Sequence, residues 1–153
     1  MAATPMGNVG WSHWIRLFDA DGSRRLLSAI PKTAGVYRIR VIDIGGQPIA
    51  IRRLRYDDPQ GVLDIGESGA VASGGLNCRI ETFQKAVLWG DKFSHAAGIK
   101  FHDYDYKSMF ALETVCVDWI SKSSKAQAKA FEKALLHAHR RRFLDHPPLN
   151  AAA

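Results

Sequence analysis

The stretch that organises this chain spans residues 35–66 and reads GVYRIRVIDIGGQPIAIRRLRYDDPQGVLDIG. Residues 35–42 alternate apolar and polar side chains, which is the period-two pattern of a half-buried strand. Two adjacent glycines at 45–46 suit a tight hairpin turn, residues 49–54 have the composition of a returning strand, and residues 62–66 form a short third apolar run. The pattern therefore predicts an antiparallel three-stranded meander.

Helices and further strands are predicted on the C-terminal side of this meander. Leu76, Ile80, Phe83 and Val87 recur at helical spacing and predict an amphipathic helix over residues 75–88. The other predicted elements are a loop or short helix over 91–97, strands over 101–106 and 112–120, a helix over 125–144 and an extended tail to residue 150. The fold class expected from this order is α+β.

The N-terminal part of the chain is expected to add helices to this core. Residues 1–10 are small and polar and predict a flexible segment. Apolar residues in 11–30 recur at helical spacing on either side of a break at 19–22, so two short helices or a helix and a turn are expected. The length of 153 residues is typical of one domain, here residues 11–150.

Charge and composition limit the partners and the setting. Lys and Arg number 21 against 15 Asp and Glu, a formal net charge of +6 that favours polyanionic partners such as nucleic acid. Two cysteines predict neither a disulfide framework nor a cysteine-based zinc site. No signal peptide and no apolar run long enough for a bilayer is visible, so a cytoplasmic protein without membrane association is expected.

Five features, taken in chain order, resemble the motif set of the GIY-YIG nucleases. Residues 35–37, Gly-Val-Tyr, are similar to the first motif half, and residues 64–66, Asp-Ile-Gly, to the second half, with Asp64 where the family has tyrosine. Arg79 resembles the helix arginine, Glu132 the metal-binding glutamate and Asn150 the closing asparagine. The resemblance covers about residues 32–150, and the segment between its two motif halves is longer than in compact members.

The resemblance implies a fold, a reaction and a role for each residue. The fold is a small, mostly antiparallel three-stranded sheet flanked by helices, here with an extra hairpin strand. The reaction is cleavage of DNA with Mg²⁺ or Mn²⁺ held by Glu132, which would stabilise the leaving oxygen. Arg79 would clamp the phosphate, Asn150 would support the site, and Tyr37 would accept a proton from water if nearby cations lower its pKa.

Asp64 and His95 each leave alternatives open. Asp64 would be a second metal ligand beside Glu132, or it would mark a weakened or lost activity. The second case describes a catalytically impaired GIY-YIG-fold module that binds nucleic acid, and a basic structural protein is a third reading. His95 stands where related domains have a histidine and would assist Tyr37 or contact phosphate; alternatively it is an ordinary loop histidine.

Basic residues outside the motifs are candidates for contact with the DNA backbone. They are Arg52, Arg53, Arg55 and Arg140. Arg140–Arg142 fit equally well as a solvated helix end whose charges complement the helix dipole. Arg38 and Arg40 alternate with Tyr37 along one predicted strand, which places them on the opposite face of the sheet from it.

Overall fold

The computed structural model describes residues 10–150 and has an α+β fold. Its strands are β1 (Ile15–Arg16), β2 (Gly35–Val41), β3 (Ile51–Arg52), β4 (Asp57–Asp58), β5 (Val62–Ser68) and β6 (Val115–Ser121). Its α-helices are α1 (Gly75–Trp89), α2 (Ala96–Asp103) and α3 (Lys125–Phe143). The flexible segment predicted for 1–10 lies, apart from Gly10, outside the described residues. Within residues 10–150 no helix combines the length and hydropathy of a membrane span.

The main sheet has four strands in the order β1-β6-β2-β5, and every neighbouring pair is antiparallel. The central strand β2 pairs directly with β5 on one side and β6 on the other, so that Tyr37 lies opposite both Gly66 and Trp119. This corrects the predicted meander, because the run at 49–54 does not form its middle strand. Instead β3 and β4 form a separate two-stranded hairpin, whose arginine-rich tip is too polar for the centre of a buried sheet.

The two faces of β2 carry different layers of the molecule. Tyr37, Ile39 and Val41 face the larger core, which α1 and α2 complete. Val36 faces the other way, into a smaller cluster that includes Ala128 of α3. The sheet is therefore sandwiched between α1 and α2 on one face and α3 on the other.

Several predicted elements match the structure and others do not. The predicted helices over 75–88 and 125–144 correspond to α1 and α3, and the predicted strand over 112–120 corresponds to β6. The predicted strand over 101–106 is wrong, because residues 96–103 are helical. His95 caps that helix by accepting a hydrogen bond from the Gly98 amide, and histidine is not among the residues that signal a cap in sequence.

The predicted N-terminal helices are also wrong, since the structure has no helix in residues 11–30. The segment runs alongside β6 instead, with Ile15 opposite Val117. A turn between Asp19 and Gly22 then reverses it, so that Phe18 bridges to Arg24. The apolar residues that suggested helical spacing are thus distributed over a strand, a turn and the core.

Candidate active site

A cleft of about 360 Å³ opens at β5, an edge strand of the main sheet. It lies where the helices on the two faces of the sheet come together, so α1, α2 and α3 all contribute to its walls. The six residues that the sequence predicted as catalytic all line it, namely Tyr37, Asp64, Arg79, His95, Glu132 and Asn150. Glu67 and Lys100 line it as well and were not predicted.

Tyr37 is fixed in the floor of the cleft by its cross-strand partner. Its side chain is 1% exposed and lies over Gly66, so that a Cβ atom added to that glycine would stand 2.2 Å from the phenol oxygen. Any side chain larger than hydrogen at this position would displace the tyrosine. The glycine that ends the Asp-Ile-Gly motif is therefore required by the close approach of the Tyr37 ring.

His95 holds the hydroxyl of Tyr37 in a buried hydrogen bond. The Gly98 amide donates to Nδ1 of His95 at 3.3 Å, which leaves the proton on Nε2 to donate to the Tyr37 oxygen at 2.7 Å. Burial, and to a smaller extent the positive charge of Arg79, lower the pKa of His95 to about 3. The imidazole of His95 is consequently neutral and orients the phenol. The hydroxyl proton of Tyr37 is not used in this hydrogen bond and is free to point to another acceptor.

Asp64 and Tyr37 occupy the same face of the sheet, and burial raises the pKa of both. The pKa of Asp64 rises to about 7 through burial, which Arg79 partly offsets. The pKa of Tyr37 rises well above its usual value through burial and through the negative charge of Asp64. The predicted condition for Tyr37 as a base was a lowered pKa, and the opposite shift is found. Tyr37 is therefore a neutral hydrogen-bond donor at ordinary pH.

Arg79 is the charge to which the other polar groups of the cleft respond. It projects from α1 and donates one guanidinium hydrogen bond to the Ser94 carbonyl at 2.8 Å. Its positive charge partly offsets the rise in pKa that burial causes at Tyr37, Asp64 and Glu132, and it adds to the fall that burial causes at His95. An anion in the cleft would meet a cation that is already oriented by the backbone.

Glu67 on β5 and Glu132 on α3 both line the cleft and are near enough for their charges to interact. Glu132 is half-buried, and its pKa is raised first by burial and then by the negative charge of Glu67. Oε2 of Glu67 is buried and has no hydrogen-bond partner among the described residues. The pair thus contains repulsion and an unsatisfied oxygen, both of which a cation would relieve. No group of three metal-ligating side chains is found in residues 10–150.

Asn150 uses its side-chain amide to pair with the edge of β5. Its Oδ1 accepts a hydrogen bond from the Ile65 amide at 2.7 Å, and its Nδ2 donates to the Ile65 carbonyl at 2.8 Å. It lies in the short 3-10 turn Pro148–Asn150, where an extended tail was predicted. The side chain acts like one more residue of a neighbouring strand, and so fixes β5 between Asp64 and Gly66.

The four arginines predicted to contact DNA divide into two groups. Arg53 is bound to the Asp145 carboxylate at 3.1 Å and to the His146 carbonyl at 2.7 Å. Arg55 donates to the carbonyls of Arg141 and Arg142. These two therefore stabilise the C-terminal end of α3. Arg52 and Arg140 are exposed and can meet a ligand.

The two unpredicted residues of the cleft gave no usable signal in the sequence. Glu67 matters because of Glu132, which lies far along the chain on another element. Lys100, which donates to the Leu149 carbonyl at 3.4 Å, fell at the boundary of a predicted strand and reaches the cleft only because α2 is a helix.

No family model, curated protein or solved structure matches the chain. Its function is therefore inferred from the chemistry of the cleft.

Proposed function

We propose that this protein is a metal-dependent endonuclease of GIY-YIG type that hydrolyses phosphodiester bonds in DNA. The supporting observation is the convergence of Tyr37, Asp64, Arg79, His95 and Glu132, which come from separate parts of the chain, on one cleft. Tyr37 lies on β2, Asp64 on β5, Arg79 on α1 and Glu132 on α3. This is the order along the chain, and the type of element, that the resemblance gives to these residues.

The roles proposed for the buried residues follow from their protonation. Asp64 is the proposed general base, because a pKa of about 7 places its proton affinity close to the working pH. It takes a proton from the attacking water as the water oxygen bonds to phosphorus and the bond to the leaving oxygen breaks. Tyr37, neutral and held by His95, orients that water by hydrogen bonding. Arg79 binds the phosphoryl oxygens, whose charge grows in the transition state.

The glutamate pair fits the divalent metal that the resemblance implies. Mg²⁺ commonly binds through one or two carboxylates together with substrate phosphates and several waters, so Glu132 and the unpartnered oxygen of Glu67 would be the protein's ligands. When bound, Mg²⁺ or Mn²⁺ neutralises charge on the phosphate and on the leaving oxygen. Glu67 then has a defined role as the second carboxylate of the site.

A nicking assay on supercoiled plasmid with Mg²⁺ or Mn²⁺ tests the proposal. We expect Glu132→Gln and Arg79→Ala each to lower the rate by at least about a hundredfold, the usual effect of removing one charge-stabilising group. The matched control is Glu81→Gln, since Glu81 is a surface glutamate paired with Lys85 on α1. The wild-type rate should rise as pH increases through about 7, because Asp64 must be ionised to accept a proton. Failure of the wild-type protein to nick with either metal would overturn the proposal.

The second candidate is a nucleic-acid-binding module that has lost catalysis. The observation in its favour is Asp64 itself, a carboxyl where the resemblance calls for a phenol. In that case the wild-type protein would bind DNA with a steep dependence on salt and would not cleave it. Binding by Glu132→Gln would then equal binding by the wild-type protein under every metal condition.

A further inference from the structure

The tip of the β3–β4 hairpin, residues 53–56, is tightly anchored to the end of α3. The Arg53 amide donates to the Tyr56 carbonyl at 3.1 Å and closes the turn. The Arg55 amide donates to the Phe143 carbonyl at 2.8 Å, and its guanidinium binds the two carbonyls before that residue. With Arg53 also paired to Asp145, the tip is held by both its backbone and its side chains.

This anchored tip presents large apolar side chains to solvent. Leu54 is 78% exposed, Tyr56 is 70% exposed and the neighbouring Leu144 is 53% exposed. Tyr56 also adopts a φ of 65°, a left-handed conformation that is unfavourable for residues other than glycine. A strained, well-anchored loop that leaves both Leu54 and Tyr56 exposed is typical of an element that contacts a partner rather than of core packing.

The charges around the tip select a polyanionic partner. Exposed arginines surround it, namely Arg52, Arg140, Arg141 and Arg142. Of the acidic side chains near the tip, Asp145 is paired with Arg53 and Asp58 is buried against His139. Asp57 is exposed beside the turn, directly opposite Arg52. A rim of exposed positive charge around an apolar centre fits a nucleic-acid duplex better than it fits a protein surface without an excess of acidic residues.

The tip lies at a defined distance from the cleft. Arg141, whose carbonyl binds Arg55, is nine residues beyond Glu132 on α3, which at about 1.5 Å per residue is about 14 Å along the helix axis. The tail after α3 connects the same two places, since Asp145 is bound to Arg53 and Asn150 to Ile65. Five residues span at most ~17 Å, which agrees with the first distance.

We propose that residues 53–56 are a second DNA-contact element, which docks into a groove of the duplex about four base pairs from the scissile bond. Four base pairs correspond to the helix distance at about 3.4 Å per base pair. Leu54 and Tyr56 pack against sugars and base edges while the exposed arginines neutralise phosphates. The inference rests on the proposed nuclease function and adds to it a site that sets how much duplex the enzyme needs on one side.

Binding of fluorescent duplexes by the Glu132→Gln protein, which keeps the DNA intact, tests this. Adding Leu54→Ser and Tyr56→Ser should raise the Kd about tenfold, the size of effect found when a stacking or packing side chain is lost. The slope of log Kd against log salt should stay unchanged because no charge is removed. The control Leu26→Ser alters a leucine that is 93% exposed elsewhere on the surface and should leave the Kd unchanged.

Tyr56→Gly separates contact from folding. Glycine adopts the left-handed φ of this position without strain, so this variant should unfold at a temperature no lower than the wild-type protein. Its Kd for the duplex should nevertheless rise about fivefold, since an aromatic contact is lost. A more stable variant that binds as tightly as the wild-type protein would overturn the inference.

Duplexes shortened one base pair at a time on each side of the cleavage point locate the contact. The parent protein should lose affinity in one step when about four base pairs remain on one side, and the variant with Leu54→Ser and Tyr56→Ser should lack that step. If the wild-type protein cleaves DNA and the Glu132→Gln protein binds it without showing such a step, the inference fails and the nuclease proposal stands. If the parent binds no duplex at low salt, both fail.

Discussion

Two buried aspartates flank the central strand β2, and they differ in what surrounds them. Asp118 on β6 lies opposite Arg38, and Asp64 on β5 lies opposite Ile39. Their exposed fractions are 0% and 3%, and burial raises the pKa of each. The difference is therefore not one of burial but of partners.

Asp118 has a dedicated cation on the back of the sheet. Arg38 donates to both of its carboxylate oxygens, at 3.0 and 2.5 Å, and the guanidinium lies 3.8 Å from the centre of the Trp11 ring. Arg40 stacks on Trp14 beside it at 3.9 Å. A carboxylate held this way is a structural element, because its charge is satisfied before any ligand arrives.

Asp64 lines the cleft, and within residues 10–150 no arginine binds both of its oxygens as Arg38 binds those of Asp118. Arg79 and Lys100 lower its pKa by charge, yet burial prevails and the pKa remains about 7. A buried carboxylate that keeps an affinity for protons near neutral pH is suited to proton transfer. The comparison shows that alternation along β2 places Asp118 in an ion pair on one face, the structural face, and Asp64 beside the cleft on the other, the Tyr37 face.

The largest effect is expected on the structural face. Arg38→Leu leaves Asp118 buried without its cation, which should lower the free energy of unfolding by up to about 5 kcal/mol. Urea denaturation at 25 °C measures the loss. Replacing both residues, with Arg38→Leu and Asp118→Leu, should recover most of it, because no charge is then left unpaired. A loss below about 1 kcal/mol in the single variant would show that the pair is not what stabilises this face.

The sequence supported this division of faces and missed other parts of the fold. The alternation of Tyr37 with Arg38 was sufficient to place them on opposite sides, since strand periodicity is a local property. The helices that carry Arg79 and Glu132 also followed from local periodicity. His95 as a helix cap, and β5 as the direct neighbour of β2, depend on contacts between distant segments. Local patterns cannot report such contacts, and Glu67 was missed for the same reason.

On the Tyr37 face of the sheet, Asp64→Asn is expected to raise the free energy of unfolding near pH 8, whereas Arg38→Leu lowers it on the structural face. Because its pKa is raised in the folded protein from 3.8 to about 7, Asp64 favours folding at low pH and loses that contribution as pH rises between these values. A shift of about three units corresponds to a change on the order of 4 kcal/mol. The variant should therefore be more stable than the wild-type protein at about pH 8 and should lose cleavage activity. The difference between their urea unfolding free energies at about pH 4 and pH 8 measures this contribution, and a variant less stable at the higher pH would contradict the assignment.

A substitution at Gly66 tests whether the stability of the protein depends on tight packing on the Tyr37 face of the sheet. In Gly66→Ala the new methyl group would lie 2.2–2.7 Å from three atoms of the Tyr37 side chain, which is 1% exposed. Overpacking of this kind should destabilise the protein by about 1–3 kcal/mol. Gly45→Ala is the control, because its nearest neighbour would be a side-chain oxygen at 3.3 Å in an exposed turn. Equal losses in the two variants would show that Tyr37 is not held as closely as described.

The smallest effect should come from the aromatic ring that covers the structural pair. Trp11→Leu keeps an apolar side chain over Arg38 and removes the cation–π contact, so it should lower the free energy of unfolding by about 1 kcal/mol. Trp89→Leu provides the comparison, since Arg24 lies 5.6 Å from that ring and Trp89 is 47% exposed, and its loss should be less than half as large. Nicking rates per folded molecule should be unchanged in both variants, because neither ring lines the cleft. A Trp11→Leu protein that loses activity without losing stability would show that the two faces of β2 are coupled, and the division between a structural Asp118 and a proposed catalytic Asp64 would then fail.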